Sequence, residues 1–506
     1  MPGYHSLGHP YQIGKMQLPL EKPYQFGRPS PGSPMKRYEA LADEVAASIR
    51  AGVLRPGDRL PSVRQTSQGR QVSPSTVFQA YYLLEARGLI RARPKSGYYV
   101  TQGPLALPPE VETPSHPSGE AATLDVSERV FEILQSTMQR DVVPLGSAFP
   151  SPLLFPLRRL AKSMASSVQV LDPRAFLDDL TPGNAALRRQ IALRYRADGI
   201  QVSPDEIVVT NGAMEALNLS LLTVSRPGDA VIIESPCFYA ALQSIERNGL
   251  RAIEVPTHPR DGIELAALER AIQAHRPAAC WLMTSFQNPL GSRMPDAKKR
   301  ELVELLARHE IPLIEDDVYA ELYFGDERPA PAKAYDQNGL VMHCGSFSKS
   351  LAPGYRVGWV APGRYFRDLA RHKLTTSITT SAPAQAALAA YLEHGGFGRH
   401  LRQMRRTLKK QKETFIEAVA RHFPAGTRAT RPTGGYFVWI ELDERVDALA
   451  LHREALKHGI SIAPGPIFSA SRGFRHCIRL NYGYLFDAKV EAAVAQLGEL
   501  VAASLD

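Results

Sequence analysis

Val341-Met342-His343-Cys344-Gly345-Ser346-Phe347-Ser348-Lys349 is an apolar strand pattern that runs into a small-residue loop carrying two hydroxyls and a lysine. Pro353-Gly354-Tyr355-Arg356-Val357-Gly358 follows, placing an arginine on the far side of the same lysine. Hydroxyls and a guanidinium around one lysine suit a phosphate held beside an amine; they equally suit a capped loop with a surface lysine. The runs further out decide the class. Glu206-Ile207-Val208-Val209-Thr210, Val231-Ile232-Ile233-Glu234, Cys280-Trp281-Leu282-Met283-Thr284 and Pro312-Leu313-Ile314-Glu315 are short apolar stretches, each spaced for a crossover helix. Continuous rather than alternating apolar runs predict an α/β fold with a mostly parallel sheet buried on both faces. Gly435-Tyr436-Phe437-Val438-Trp439-Ile440 and Cys477-Ile478-Arg479-Leu480-Asn481-Tyr482 read as strands of a smaller α+β subdomain.

Two more strand ends carry chemistry. Thr210-Asn211-Gly212-Ala213-Met214-Glu215 passes through a glycine straight into a helix, and free N–H groups at such a start, with no Cβ in the way, make a natural phosphate seat. Many strand-to-helix turns use glycine for geometry alone. Glu315-Asp316-Asp317-Val318-Tyr319 sets paired acids at another strand end; no histidine accompanies them in sequence, so no metal is expected.

The 506-residue chain is too long for one core and has 44% hydrophobic and 22% charged residues, the composition of folded domains. It shows no apolar run long enough to span a bilayer and no secretory signal, and its four cysteines have no CxxC spacing. A cytoplasmic protein with reduced, buried thiols is expected. The net charge of +9 is concentrated: residues 35–100 carry 11 Lys+Arg against 5 Asp+Glu, a local +6. That asymmetry points to a polyanion partner for this segment, or to a solvated basic face.

Residues 1–34 lack any sustained period and read as a disordered extension. From Lys36 a helical spacing of Leu41, Val45, Ile49 and Val53 begins. A short helix follows with Ser62 as N-cap, and a third starts at Ser73-Pro74, burying Val77, Ala80, Tyr81 and Leu84. Leu89 to Arg93, a Pro94-Lys95-Ser96-Gly97 turn and Tyr98-Tyr99-Val100 then form a hairpin, which completes the element order of a winged helix over 35–100. Residues 101–123, rich in proline, read as a linker, and 124–506 as the α/β body.

Taken together and in order, the motifs of the body resemble the fold-type I aminotransferases that use pyridoxal 5′-phosphate (PLP). The resemblance implies that Lys349 forms the Schiff base, that Asp316 keeps the ring nitrogen protonated so that the ring acts as an electron sink, and that Tyr319 and Asn288 hydrogen-bond the phenolate oxygen. It places Phe238 on the ring face, with Tyr239 as a rival, and assigns the phosphate to Gly212, Ala213, Ser346, Ser348 and Arg356. Arg479 would take the substrate carboxylate with a bidentate fork, and Gly183, in Pro182-Gly183-Asn184-Ala185-Ala186-Leu187-Arg188, would lie close to the substrate.

Gly57-Asp58-Arg59-Leu60-Pro61-Ser62-Val63-Arg64, Val72-Ser73-Pro74-Ser75-Thr76-Val77 and Lys95-Ser96-Gly97 resemble the GntR-type winged helix. That resemblance implies DNA contacts at Arg64, Ser73, Ser75, Thr76, Gln79, Lys95 and Gly97; Pro74 stands where the family usually has arginine. A GntR-type head joined to an aminotransferase-like body is the arrangement of the MocR regulators. The expectation is therefore a homodimeric, PLP-dependent regulator that binds a double-stranded DNA operator and senses an amino acid or amine through aldimine formation. A working aminotransferase and a sensor of PLP itself are the alternatives.

Overall fold

The structure, a computed structural model, describes residues 37–93, 96–101, 106–136, 141–174, 180–394 and 396–505. The extension expected over 1–34 and Lys95 lie outside them. The chain divides between Leu105 and Ala106 into two compact units.

In the first unit, α1 (Arg37–Arg50) precedes α2 (Val63–Arg70) and α3 (Pro74–Ala86), and β1 (Ile90–Arg93) pairs antiparallel with β2 (Gly97–Val100). Both predicted N-caps are present. Ser62 Oγ accepts the Gln65 N–H at 3.3 Å while Gln65 Oε1 accepts the Ser62 N–H at 2.9 Å, and Ser73 Oγ accepts the Thr76 N–H at 3.2 Å. Val77, Ala80, Tyr81 and Leu84 enter the core with Leu41, Leu60, Ile90 and Val100. Val53 does not: α1 stops at Arg50, and Val53 sits in the turn beyond it, 75% exposed, because the period it seemed to continue had already been ended by Gly52 at φ +71°.

The second unit is built on one mixed sheet with helices on both faces. Its order is β3 (Ala121–Ala122), β6 (Arg251–His258), β5 (Ala230–Ser235), β8 (Ala279–Leu282), β9 (Leu313–Asp316), β10 (Val341–Ser346), β11 (Gly358–Ala361), β4 (Val208–Thr210), with β7 (Gly262–Ile263) on β6. Seven strands of three residues or more make the body of the sheet, mostly parallel, and two two-residue strands are added at one edge. Alternation along β5 explains the two-sided burial: Val231 and Ile233 pack with Leu217, Trp281 and Met342 on one face, and Ile232 packs with Ile253, Leu302 and Leu313 on the other. β6 and β11 escape sequence inspection because Glu254 and Pro256 interrupt the first and the second is a four-residue antiparallel insert starting at glycine. A four-stranded antiparallel sheet, β12 (Arg428–Ala429), β13 (Phe437–Glu441), β15 (Cys477–Asn481), β14 (Ala463–Pro464), forms the smaller subdomain.

The proline-rich stretch departs from a free linker. Over 106–123 it is strapped to the second unit: Val111 is buried, Pro109 O accepts the Ala429 N–H at 2.9 Å, Glu110 pairs with Arg260 at 2.6 Å, Ser115 Oγ donates to Ser235 O at 2.5 Å, and β3 extends the sheet. Prolines broke its periodicity but left its carbonyls free to accept. The four cysteines are buried and unpaired, and among the described residues no helix is long and apolar enough to cross a membrane.

Candidate functional site

The parallel strands deliver their loops to one end of the sheet, where the body's candidate residues collect. Gly212 caps the helix Ala213–Val224 at φ +80°, and a Cβ built on it would lie 2.5 Å from Arg356 Nη2. Arg356 Nη1 in turn donates to Ser348 Oγ at 3.2 Å, and Ser346 Oγ stands 3.1 Å from Ser348 Oγ. Five predicted residues, Gly212, Ala213, Ser346, Ser348 and Arg356, thus form one cradle of N–H groups, hydroxyls and a guanidinium suited to a phosphate dianion. Gly358 was missed as a contributor. A Cβ there would meet Gly212 C at 2.6 Å and the Ala213 nitrogen at 2.9 Å, so only glycine lets β11 run behind the cradle.

Asp316 ends β9 and is 1% exposed, with Oδ1 buried and lacking any hydrogen-bond partner. Burial first, and then the neighbouring Asp317, push its carboxyl up to about 7. An acceptor left open in this way fits a protonated ring nitrogen, which would return the group to its charged form. Lys349 shows the opposite shift: burial, followed by the Arg479 charge, brings its amine down to about 7. Its Nζ donates to Ala148 O at 2.9 Å and lies 3.5 Å from the centre of the Phe149 ring. Tyr319 is buried with its ring edge-on to Tyr436, and burial raises its phenol. Asn288 is buried with Nδ2 unpaired, a free donor of the kind a phenolate oxygen would accept from. Phe238 is half-buried, whereas Tyr239 is 5% exposed and packed on Phe468 with ring centres 5.7 Å apart. Of the two, Phe238 keeps the open face. These donors, the unpaired acceptor and the cradle are the chemistry PLP requires.

Arg479, on β15, is fully buried. It donates to Asn288 Oδ1 at 2.9 Å, to Gly146 O at 2.5 Å and to Ser147 O at 3.2 Å, and its planar group lies 4.2 Å from the Phe437 ring centre. No carboxylate pairs with it among the described residues. The segment Gly146-Ser147-Ala148-Phe149 thus touches both Arg479 and Lys349, and Asn481 Nδ2 holds it at Ser147 O and Phe149 O, 2.9 and 2.7 Å away. It was invisible in sequence because, the Phe149 ring apart, its contacts run through backbone carbonyls. Gly183, at φ +108°, would place a Cβ 2.8 Å from both Val209 and Gln385 Oε1, so packing accounts for the glycine.

In the first unit Arg64, Ser73, Ser75 and Gln79 are exposed, and Thr76 is half-buried with its Oγ1 2.8 Å from Ser73 Oγ. Gly97 opens β2 with φ +108°, and a Cβ built on it would lie 3.3 Å from Arg59 Nε.

Residues 153–497 match the family model for aminotransferase class I and II, and residues 37–100 match that for bacterial regulatory proteins of the gntR family. The chain is 46% identical over 467 residues to the HTH-type transcriptional regulator YdcR of Escherichia coli, covering 92% of this chain and 99% of that one. It is 39% identical over 471 residues to the regulator YjiR of the same organism, covering 92% and 99%. Among solved structures, LysN, the alpha-aminoadipate aminotransferase of Thermus thermophilus complexed with N-(5′-phosphopyridoxyl)-L-leucine, superposes with a TM-score of 0.68 at 30% identity, over 74% of this chain and 95% of that chain. With a gntR-type head and a class I and II aminotransferase body in one chain, this protein belongs to the MocR-type transcriptional regulators.

Proposed function

We propose that the body binds PLP and, through it, an amino acid, and that this binding changes the affinity of the head for its DNA operator. Arg479 carries the reading. A fully buried guanidinium whose acceptors among the described residues are all neutral oxygens is costly until an anion joins it, and the carboxylate of an amino acid is the anion that a neighbouring amine-reactive centre would bring.

When bound, PLP supplies an aldehyde that condenses with amines and a ring that withdraws electrons. The chain's own residues do the rest. The cradle of Gly212, Ala213, Ser346, Ser348 and Arg356 binds the phosphate, and Phe238 covers one face of the ring. Asp316 holds the proton at the ring nitrogen, while Tyr319 and Asn288 donate toward the ring oxygen. Lys349, with its amine near 7, offers a neutral nitrogen at physiological pH and can give up its place to an incoming amine by carrying a proton on Nζ. Gly183 flanks the substrate side. The head contacts operator phosphates and bases through Arg64, Ser73, Ser75, Thr76, Gln79, Lys95 and Gly97. The working unit is a cytoplasmic homodimer on two half-sites. Because the residues for amine chemistry, Lys349 and Asp316, are both present, a working aminotransferase is the second reading.

The test uses full-length protein and a duplex that it selects from a random-sequence pool. Affinity is followed as PLP and then single amino acids are added. One amino acid is expected to change it by ~5–150-fold, a coupling of ~1–3 kcal/mol. Arg479→Ala should abolish that response and keep basal DNA binding. A response that follows PLP alone makes the cofactor the signal. Turnover of ~1 per second or more with no effect on DNA makes the protein an enzyme.

A further inference from the structure

α3 spends one side on the core, through Val77, Ala80, Tyr81 and Leu84. Its other side carries Ser75, Phe78, Gln79 and Tyr82, which spacings of three, four and seven residues place on one strip. Phe78 is 55% exposed and Tyr82 69% exposed, on a helix whose core positions are at or below 1%. Exposed aromatic carbon set among hydrogen-bonding side chains marks a surface that meets a partner.

The surrounding charge says which partner. From Arg59 to Leu84 the chain carries Arg59, Arg64 and Arg70 and no carboxylate at all. Arg64 is exposed and has no acidic partner among the described residues. The next acid along, Glu85, turns its carboxylate back to the Ala92 N–H at 2.8 Å. Arg70 is paired with Glu44 at 2.5 Å, which leaves Arg64 as an arginine on an acid-free stretch with no acidic partner among the described residues, and that suits a polyanion rather than a second mixed-charge protein face. Pro74, at the helix start, offers no hydrogen-bond donor of its own, and the hydroxyls of Ser75 and Thr76 both lie 2.8 Å from Ser73 Oγ, so each has that partner in the free head. Contact beyond the first turn therefore falls to the exposed Phe78 and Gln79, of which Phe78 is the apolar one. In the major groove the one apolar group on a base edge of unmodified DNA is the thymine methyl.

We infer that Phe78 reads a thymine methyl in the major groove, with Ser75 and Gln79 beside it supplying hydrogen bonds, so that each half-site of the operator requires thymine at that position. The inference rests on the DNA-binding role of the head.

The selected duplex is resynthesised with uracil in place of thymine, one position at a time, which removes the methyl and leaves every hydrogen-bonding group. The wild-type protein is expected to lose about 3–5-fold in affinity at one thymine of each half-site, the ratio that burying one methyl group represents. Phe78→Ala, with unchanged circular dichroism, should bind the thymine and uracil duplexes equally; Tyr82→Ala should keep the difference. A wild type indifferent to uracil everywhere overturns the inference, as does a dependence that survives Phe78→Ala. If the protein selects no sequence from the pool, the DNA-binding reading itself fails, and the inference with it.

Discussion

At the residue scale, the informative pair is Asp316 and Asp317. Trp359 Nε1 donates to the Tyr195 hydroxyl at 3.0 Å, so the Tyr195 proton turns to His343 Nδ1, 2.6 Å away, leaving the Nε2 proton to face Asp317 Oδ2 at 3.0 Å. Arg328 Nη2 binds the same oxygen at 3.2 Å. Asp317 is fixed by this relay through Oδ2, although its Oδ1, like that of Asp316, has no partner, and the raised carboxyl of Asp316 follows from burial plus that fixed neighbour. Folded Asp316 titrates near 7 against 3.8 for an ordinary aspartate, so its ionisation penalises the PLP-free fold increasingly between those values and by a constant amount above them. Asp316→Asn should therefore stabilise the PLP-free protein at pH 8 by on the order of 2 kcal/mol, with the gap shrinking as pH falls toward 4, while weakening PLP binding. Urea melts at several pH values check the first part, and PLP titration the second. For Lys349 the sign is opposite, since its proton is lost near 7 and the neutral amine is the reactive form. The rate at which the PLP-free protein takes up PLP should rise with pH through about 7, and Lys349→Ala should lose the visible absorbance of the loaded protein.

At the element scale, the phosphate cradle depends on a helix start and a strand that approach more closely than side chains allow. Gly212 adopts φ +80° and faces Arg356, while a Cβ on Gly358 would lie only 2.6–2.9 Å from the Gly212–Ala213 link, which β11 can approach because that Cβ is missing. Gly212→Ala should strain the backbone by about 1 kcal/mol or more and push the Arg356 guanidinium off Ser348, lowering PLP affinity far more than stability. Equilibrium dialysis of PLP beside a thermal melt separates the two effects. The strap over 106–123 shows the converse case: a segment without periodicity docks through backbone acceptors, an added strand and one buried valine.

At the scale of the whole molecule, charge is divided by function. The head, residues 35–100, holds a local +6 of the total +9, so DNA binding should weaken steeply with salt, with a log–log slope of about −0.9 per phosphate neutralised. Arg64→Ala should lose at least about 1 kcal/mol of affinity and flatten that slope by about one contact. Fluorescence anisotropy across a salt series measures both.

The sequence by itself determined the class of each unit, because apolar runs buried on both faces and the Ser62 and Ser73 caps are local signals that tertiary packing had no reason to override. It also determined which residues gather at the end of the sheet, since parallel strands must deliver their loops to one edge. Only the tertiary structure decided what Arg479 and Lys349 touch, because Gly146, Ser147 and Ala148 act through carbonyl oxygens that every residue possesses. The same holds for the orphaned oxygen of Asp316 and the open face of Phe78: a missing partner is a property of the space around a group, and no spacing along the chain encodes it.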